Sequence, residues 1–152
     1  MNQHKTDKLF NKFPTIYRER LMTTYQSEMP WGFQCGDGWY DIIHNLSLKL
    51  EKIAGKCTNK DSSPAVSEVR SGGDKLIFRI RNSDFKIDSL VFESMQKCAF
   101  TCENCGYAPA FLQNDHIIKN QVVCNRCYGK KKSQATKISR LMGKVRGACR
   151  ET

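Results

Sequence analysis

Cys102-Glu-Asn-Cys105-Gly106, then a gap to Cys124-Asn-Arg-Cys127-Tyr-Gly129, is the stretch whose reading decides the fold. Two Cys-x2-Cys pairs separated by about fifteen to twenty residues are a standard metal-binding spacing. Two thiolates three positions apart in a tight turn converge on one ion, and a second such turn completes a tetrahedron. Gly106 and Gly129 follow the two pairs, where a knuckle needs a residue tolerant of positive φ. The second pair is preceded by the β-prone Gln121-Val-Val123. The expectation is a zinc ribbon with a knuckle on each of two hairpin turns, holding one Zn²⁺ through Cys102, Cys105, Cys124 and Cys127. Four thiolates leave no open coordination position, so such a site is structural and not catalytic.

Upstream of the first pair, Ile87, Leu90, Val91, Met95 and Cys98 recur at helical spacing, which predicts a helix over 85–99 capped by Ser83 or Asp84. Cys98 reads as a core residue of that helix, because a Cys-x6-Cys pair with Cys105 suits one ion less well. Asp84 and Asp88 sit where negative charge is favourable, in the first helical turn. Before it, Ala65–Arg70 and Lys75–Arg81 read as two strands joined by Ser71-Gly-Gly-Asp74, which has the glycine a tight hairpin needs. The clearest helix is 38–54, where Trp39, Ile42, Ile43, Leu46, Leu50 and Ile53 share one face and Gly55 is a natural stop. Asp37 reads as its N-cap, and His44 as a residue at the edge of the apolar face. Residues 1–36, punctuated by Pro14 and Pro30, read as an irregular entry with one short helix and a frayed start at His4. Phe10, Phe13, Ile16, Tyr17 and Leu21 are its candidates for packing.

Downstream, Ile138, Leu141, Met142 and Val145 share one helical face, and Lys137, Arg140 and Lys144 another. The formal net charge of +10 is concentrated there. Residues 1–60 carry +3, residues 61–128 are neutral, and residues 129–152 carry +7. A basic block beside a neutral middle points to an acidic partner docking at one end. Lys130, Lys131, Lys132, Lys137, Arg140, Lys144 and Arg146 are the candidate partner-binding residues. Three readings stay open for this tail: contacts to nucleic-acid phosphates, docking on the acidic surface of a protein complex, or packing on its own domain. No helix-turn-helix or C2H2 pattern is present, so sequence-specific duplex reading is not expected.

Nothing in the chain is apolar for long enough to span a bilayer, and Met1–Phe13 lacks the apolar core of a secretory signal. The expected location is the cytoplasm, where eight cysteines serve more often as ligands or small buried hydrophobes than as disulfides. Cys35, Cys57, Cys98 and Cys149 fall outside the spaced pairs.

Two resemblances extend this reading. The run Cys102-x2-Cys105-Gly, Asp115-His116-Ile117, Asn120 and Val123-Cys124-x2-Cys127 resembles HNH endonucleases built on a zinc-ribbon scaffold. The resemblance implies His116 as general base and Asn120 as the middle residue of a metal-dependent nuclease site. Two features depart from that pattern. Only three residues separate His116 from Asn120, and the closing His or Asn expected after Cys127 is Tyr128. A polar hairpin tip and a non-enzymatic chain are therefore favoured over a complete nuclease.

The segment Trp31-Gly-Phe33-x-Cys35-Gly-Asp-Gly-Trp39-Tyr-Asp41, with the helix, hairpin, second helix and paired cysteines after it, resembles a family of small phage and prophage proteins. That likeness covers most of residues 11–128 and implies a host cytoplasm as the setting, with no established activity. Within the run, Gly36 and Gly38 are expected to serve a turn, and Trp39 to anchor the core.

Together these residues predict an α+β protein with an α+β body over 1–100, a zinc ribbon over 101–129 and a basic helical tail over 130–152. The leading functional expectation is a non-enzymatic phage-type protein that binds nucleic acid or a nucleoprotein complex. The alternatives are an inhibitor or adaptor of a host protein machine, such as a defence or transcription complex, and a degenerate HNH-like nuclease.

Overall fold

The computed structural model describes residues 1–59, 61–113 and 121–148, with side chains as far as Ile138. Its order is α1 (Gln3–Lys12), α2 (Tyr40–Ala54), β1 (Ala65–Ser71), β2 (Leu76–Arg81), α3 (Phe85–Ala99), β3 (Phe111–Gln113), β4 (Gln121–Val123) and α4 (Asn125–Ala148). Among the described residues, four α-helices and two antiparallel strand pairs, β1–β2 and β3–β4, make this an α+β fold.

The expected irregular entry is an ordered wrap. Asn2 caps α1 by accepting from the Lys5 amide at 2.9 Å, so His4 lies inside a helix and not in a frayed end. Beyond α1, Phe13, Ile16 and Tyr17 are fully buried. The Glu51 carboxylate accepts from the amides of Thr15 and Ile16, each at 3.0 Å, and so satisfies backbone donors that no helix would. Arg18 ties the wrap to the start of β1 by donating to the carbonyls of Thr15, Ser63 and Pro64. Leu21, expected to pack, is 82% exposed. It ends a short 3-10 turn over Arg18–Leu21 whose one buried residue is Glu19, ion-paired with Arg81 at 3.3 Å.

The sequence periodicities hold in the central body. Helix α2 buries Ile43, Leu46, Ser47, Leu50 and Ala54, and the Tyr17 hydroxyl meets Ser47 Oγ at 2.6 Å inside that core. In β2, Leu76 and Phe78 are buried and Ile80 is half-buried, as a two-residue period requires. Gly73, at φ 94°, makes the turn between β1 and β2. Asp84 caps α3 through the Ile87 amide at 2.8 Å. Helix α3 packs on α2 and on β2, which places its C-terminal end beside the first cysteine pair. Each large apolar side chain buried here contributes about 1.5–3 kcal/mol.

Candidate metal centre

Both cysteine pairs are positioned by local backbone geometry. After α3, the Cys102 amide donates to Tyr107 O at 2.8 Å, and the Gly106 amide to Cys102 O at 2.8 Å. Gly106 has φ 77°, as the knuckle reading requires. The amide of Tyr107 donates to the Cys105 sulfur. The second pair is built differently. Buried Val122 and Val123 set β4 in place, Cys124 follows directly, and Cys127 lies in the first turn of α4. The Tyr128 amide donates to Cys124 O at 2.9 Å, and the Cys127 amide to the Cys124 sulfur.

This corrects the expected ribbon at one point. The first pair is a knuckle, whereas the second straddles a strand-to-helix junction. Gly129 is an interior residue of α4 and not a positive-φ turn. The basic helix starts at Asn125, inside the cysteine site, and not after residue 129. A helix satisfies this turn because the C-x2-C spacing also matches one helical turn.

The Sγ atoms of Cys102, Cys105, Cys124 and Cys127 all lie within 4.8 Å of one another. Cys105 and Cys124 sulfurs are 3.7 Å apart. A tetrahedral ion with bonds of about 2.3 Å has sulfur–sulfur edges of roughly 3.8 Å, whereas a disulfide needs about 2.05 Å. All four cysteines are free, and they form a potential metal site whose donors are compatible with zinc. Cys98 is buried in the core apart from them.

The thiols are unequal in acidity. Burial pushes the Cys124 thiol up, but the Cys127 amide and the neighbouring thiols outweigh it and bring it down to about 7. Cys127 is pushed up to about 12, by burial first and then by the hydrogen bonds it makes to Cys105, Cys124 and Cys102. Neighbouring thiolates raise one another's pKa, and a bound cation would offset that repulsion.

The Cys35–Trp39 run serves this site in a way its residue types alone did not reveal. Gln34 bridges to β1 in parallel fashion, its amide donating to Val69 O at 2.9 Å. That bridge carries Gly36 and Gly38 onto the knuckle. The Gly38 amide donates to Glu103 O at 2.7 Å, and Trp39 Nε1 to Thr101 O at 2.8 Å. A Cβ on Gly38 would overlap the Cys102 carbonyl oxygen, and one on Gly36 the Glu103 carbonyl oxygen. Neither glycine has positive φ, so close backbone approach, and not turn conformation, is what requires them.

Asp37 makes no side-chain cap of the helical turn it begins. Its carboxylate accepts instead from the Asn2 amide at 2.7 Å and Asn2 Nδ2 at 2.6 Å. The Asn2 amide, with smaller help from Lys5, holds this carboxyl below its ordinary range.

Glu103 is the residue that sequence reasoning missed. It lies between the two knuckle cysteines and is 3% exposed. Its carboxylate accepts from the Gly36 amide at 2.9 Å and from Ser71 Oγ at 3.1 Å, and its amide donates to Val122 O at 2.9 Å. One residue thus joins the knuckle to the glycine run and the end of β1 through its side chain and to β4 through its backbone. No periodicity marks it, because its burial depends on partners distant in the chain.

His116 and Asn120 lie outside the described residues, as does Cys149. The Tyr128 hydroxyl, where a nuclease would carry its closing ligand, accepts from Lys132 Nζ at 3.2 Å. His44 is half-buried between Phe13 and Tyr40, as its place at the helix edge suggested. Of the tail residues, Lys130, Lys132 and Lys137 are exposed, while Lys131 is half-buried and donates to Gln121 Oε1. Arg140, Lys144 and Arg146 belong to α4, with side chains outside the described set.

Fold and site together define a class: an α+β chain with four clustered cysteines, on a knuckle and at a strand-to-helix junction, that could hold a metal ion. Comparisons with protein-family models, with curated proteins and with solved structures give no match to this chain. No helix among the described residues is long and apolar enough to cross a membrane.

Proposed function

We propose that this is a non-enzymatic, zinc-organised protein of phage type that binds nucleic acid through the exposed face of α4. The observation that carries the reading is the union of charge and anchorage in that helix. Its twenty-four residues include Arg126, Lys130, Lys131, Lys132, Lys137, Arg140, Lys144 and Arg146 and no acidic residue. It begins inside the cysteine site, so a bound ion would fix its start against the body. A cationic rod held at one end attracts a polyanion along its length. The phage setting rests on the likeness of the Cys35–Trp39 run. Closed four-thiolate coordination and Tyr128 support the absence of catalysis.

The test is salt-dependent binding to DNA and RNA by fluorescence anisotropy. Replacing Lys130, Lys132 and Lys137 together by Gln should weaken binding and lower the slope of log affinity against log salt by roughly 2–3. An unchanged slope would remove α4 as the binding element. Recovery from host lysate of one protein that survives nuclease and high salt would replace this reading with the adaptor or inhibitor alternative.

A further inference from the structure

A cavity of about 480 Å³ opens directly beside the cysteine site, within the size range of small-ligand pockets. Its lining joins Cys105 and Cys124 to three ring-bearing residues, Tyr107, Pro109 and Phe111, and to Arg126. Tyr107 is 62% and Phe111 55% exposed, although the same fold buries Trp39 and Tyr17 completely. Two aromatic rings are therefore presented to solvent in a concave site with a cation at its side. Arg126, Lys130 and Lys137 are all exposed and recur at helical spacing, so they form one stripe running away from the cavity along α4.

We propose that this cavity receives an unstacked base of single-stranded nucleic acid, with the adjoining phosphates lying on Arg126, Lys130 and Lys137. This rests on the nucleic-acid reading of α4 and narrows it to a strand form. Aromatic side chains stack on any base, because every base has a π-face, and neighbouring cations track the backbone. A duplex keeps its bases stacked within the helix and offers none to such a cavity. Charge complementarity selects the polyanion over an apolar peptide, since three aligned cations would gain nothing from an apolar partner.

The probe is a fluorescent oligothymidylate of about 15 nucleotides, compared with an abasic oligonucleotide of equal length and with a duplex. The wild-type chain should bind oligothymidylate at least about tenfold more tightly than the abasic strand, the equivalent of one stacked base. Tyr107→Ala and Phe111→Ala should each remove most of that preference and leave duplex binding and its salt slope unchanged. Tyr107→Phe, which keeps the ring, should retain it. Zinc content is measured for every variant. The abasic comparison needs only the wild-type chain, so it decides the matter even where an alanine variant loses its metal.

Equal affinity for the base-bearing and abasic strands overturns the cavity assignment while binding through α4 stands. If the triple Lys→Gln variant binds every probe as the wild type does, the α4 reading itself fails and the cavity assignment fails with it.

Discussion

The largest fully buried side chains, Trp39, Tyr17 and Phe13 foremost, all come from residues 9 to 87. Among the described residues of the segment from Cys102 to Cys127, the buried apolar ones are Cys102, Ala110, Val122, Val123 and Cys124. The first region is held by area removed from water. Among its described residues the second buries few large apolar side chains, and its sulfurs converge. A short segment with a small core gains order from a metal that a larger core does not need. The two regions are not independent, since Gly36, Gly38 and Trp39 of the first bond the knuckle of the second.

The largest expected effect separates the two regions. Structural zinc contributes on the order of 10 kcal/mol to small zinc-dependent folds. Cys102→Ser, or chelation, should therefore abolish stoichiometric metal binding and speed amide exchange across residues 102–113 and 121–127. Helix α2 and strand β1 should stay protected. Acid should act in the same direction, because the ion requires thiolates and protons compete for them. Equal loss of protection in α2 would show that the body, too, depends on the metal.

A smaller effect probes the seam between the regions. Gly38→Ala places a methyl group against the Cys102 carbonyl, and should destabilise the fold by about 3 kcal/mol and weaken metal retention. Gly129→Ala provides the contrast. Nothing lies within 4 Å of its would-be Cβ, and it sits inside α4. That change should stabilise by about 0.5–1 kcal/mol. Denaturant titration reads both, and a harmless Gly38→Ala would mean that the seam is loose.

The smallest effect is electrostatic. Asp37 has its carboxyl lowered from 3.8, by the Asn2 amide first. A depressed folded-state value contributes stability that is fully present above the unfolded value. It is lost as the pH falls through the lower folded value. Asp37→Asn should therefore flatten the acid limb of the stability curve below about pH 4 and change little at neutral pH. An unaltered acid limb would show that the Asn2–Asp37 tether does not stabilise the body.

Local pattern and distant contact contributed unequally to what could be read in advance. The α2, β1–β2 and α3 elements were legible because apolar spacing repeats every few residues. The clustering of the four cysteines was legible because two thiolates three positions apart suit one ion. In residues 1–36 the one short helix and the packing of Phe10, Phe13, Ile16 and Tyr17 were legible, but the order of the wrap was not, since it comes from Glu51, Ser63 and Pro64, which accept its hydrogen bonds from far along the chain. Nor was the start of the basic helix, because a C-x2-C pair fits a knuckle and a helical turn alike.

The sequence by itself determined the α+β class, the four cysteines that cluster and the concentration of positive charge in the final helix, all properties of spacing and composition. Only the tertiary structure decided the purpose of Gly36 and Gly38 and the central place of Glu103. Gly36 and Glu103 are sixty-seven positions apart, and which backbones touch across such a separation depends on how the whole chain packs.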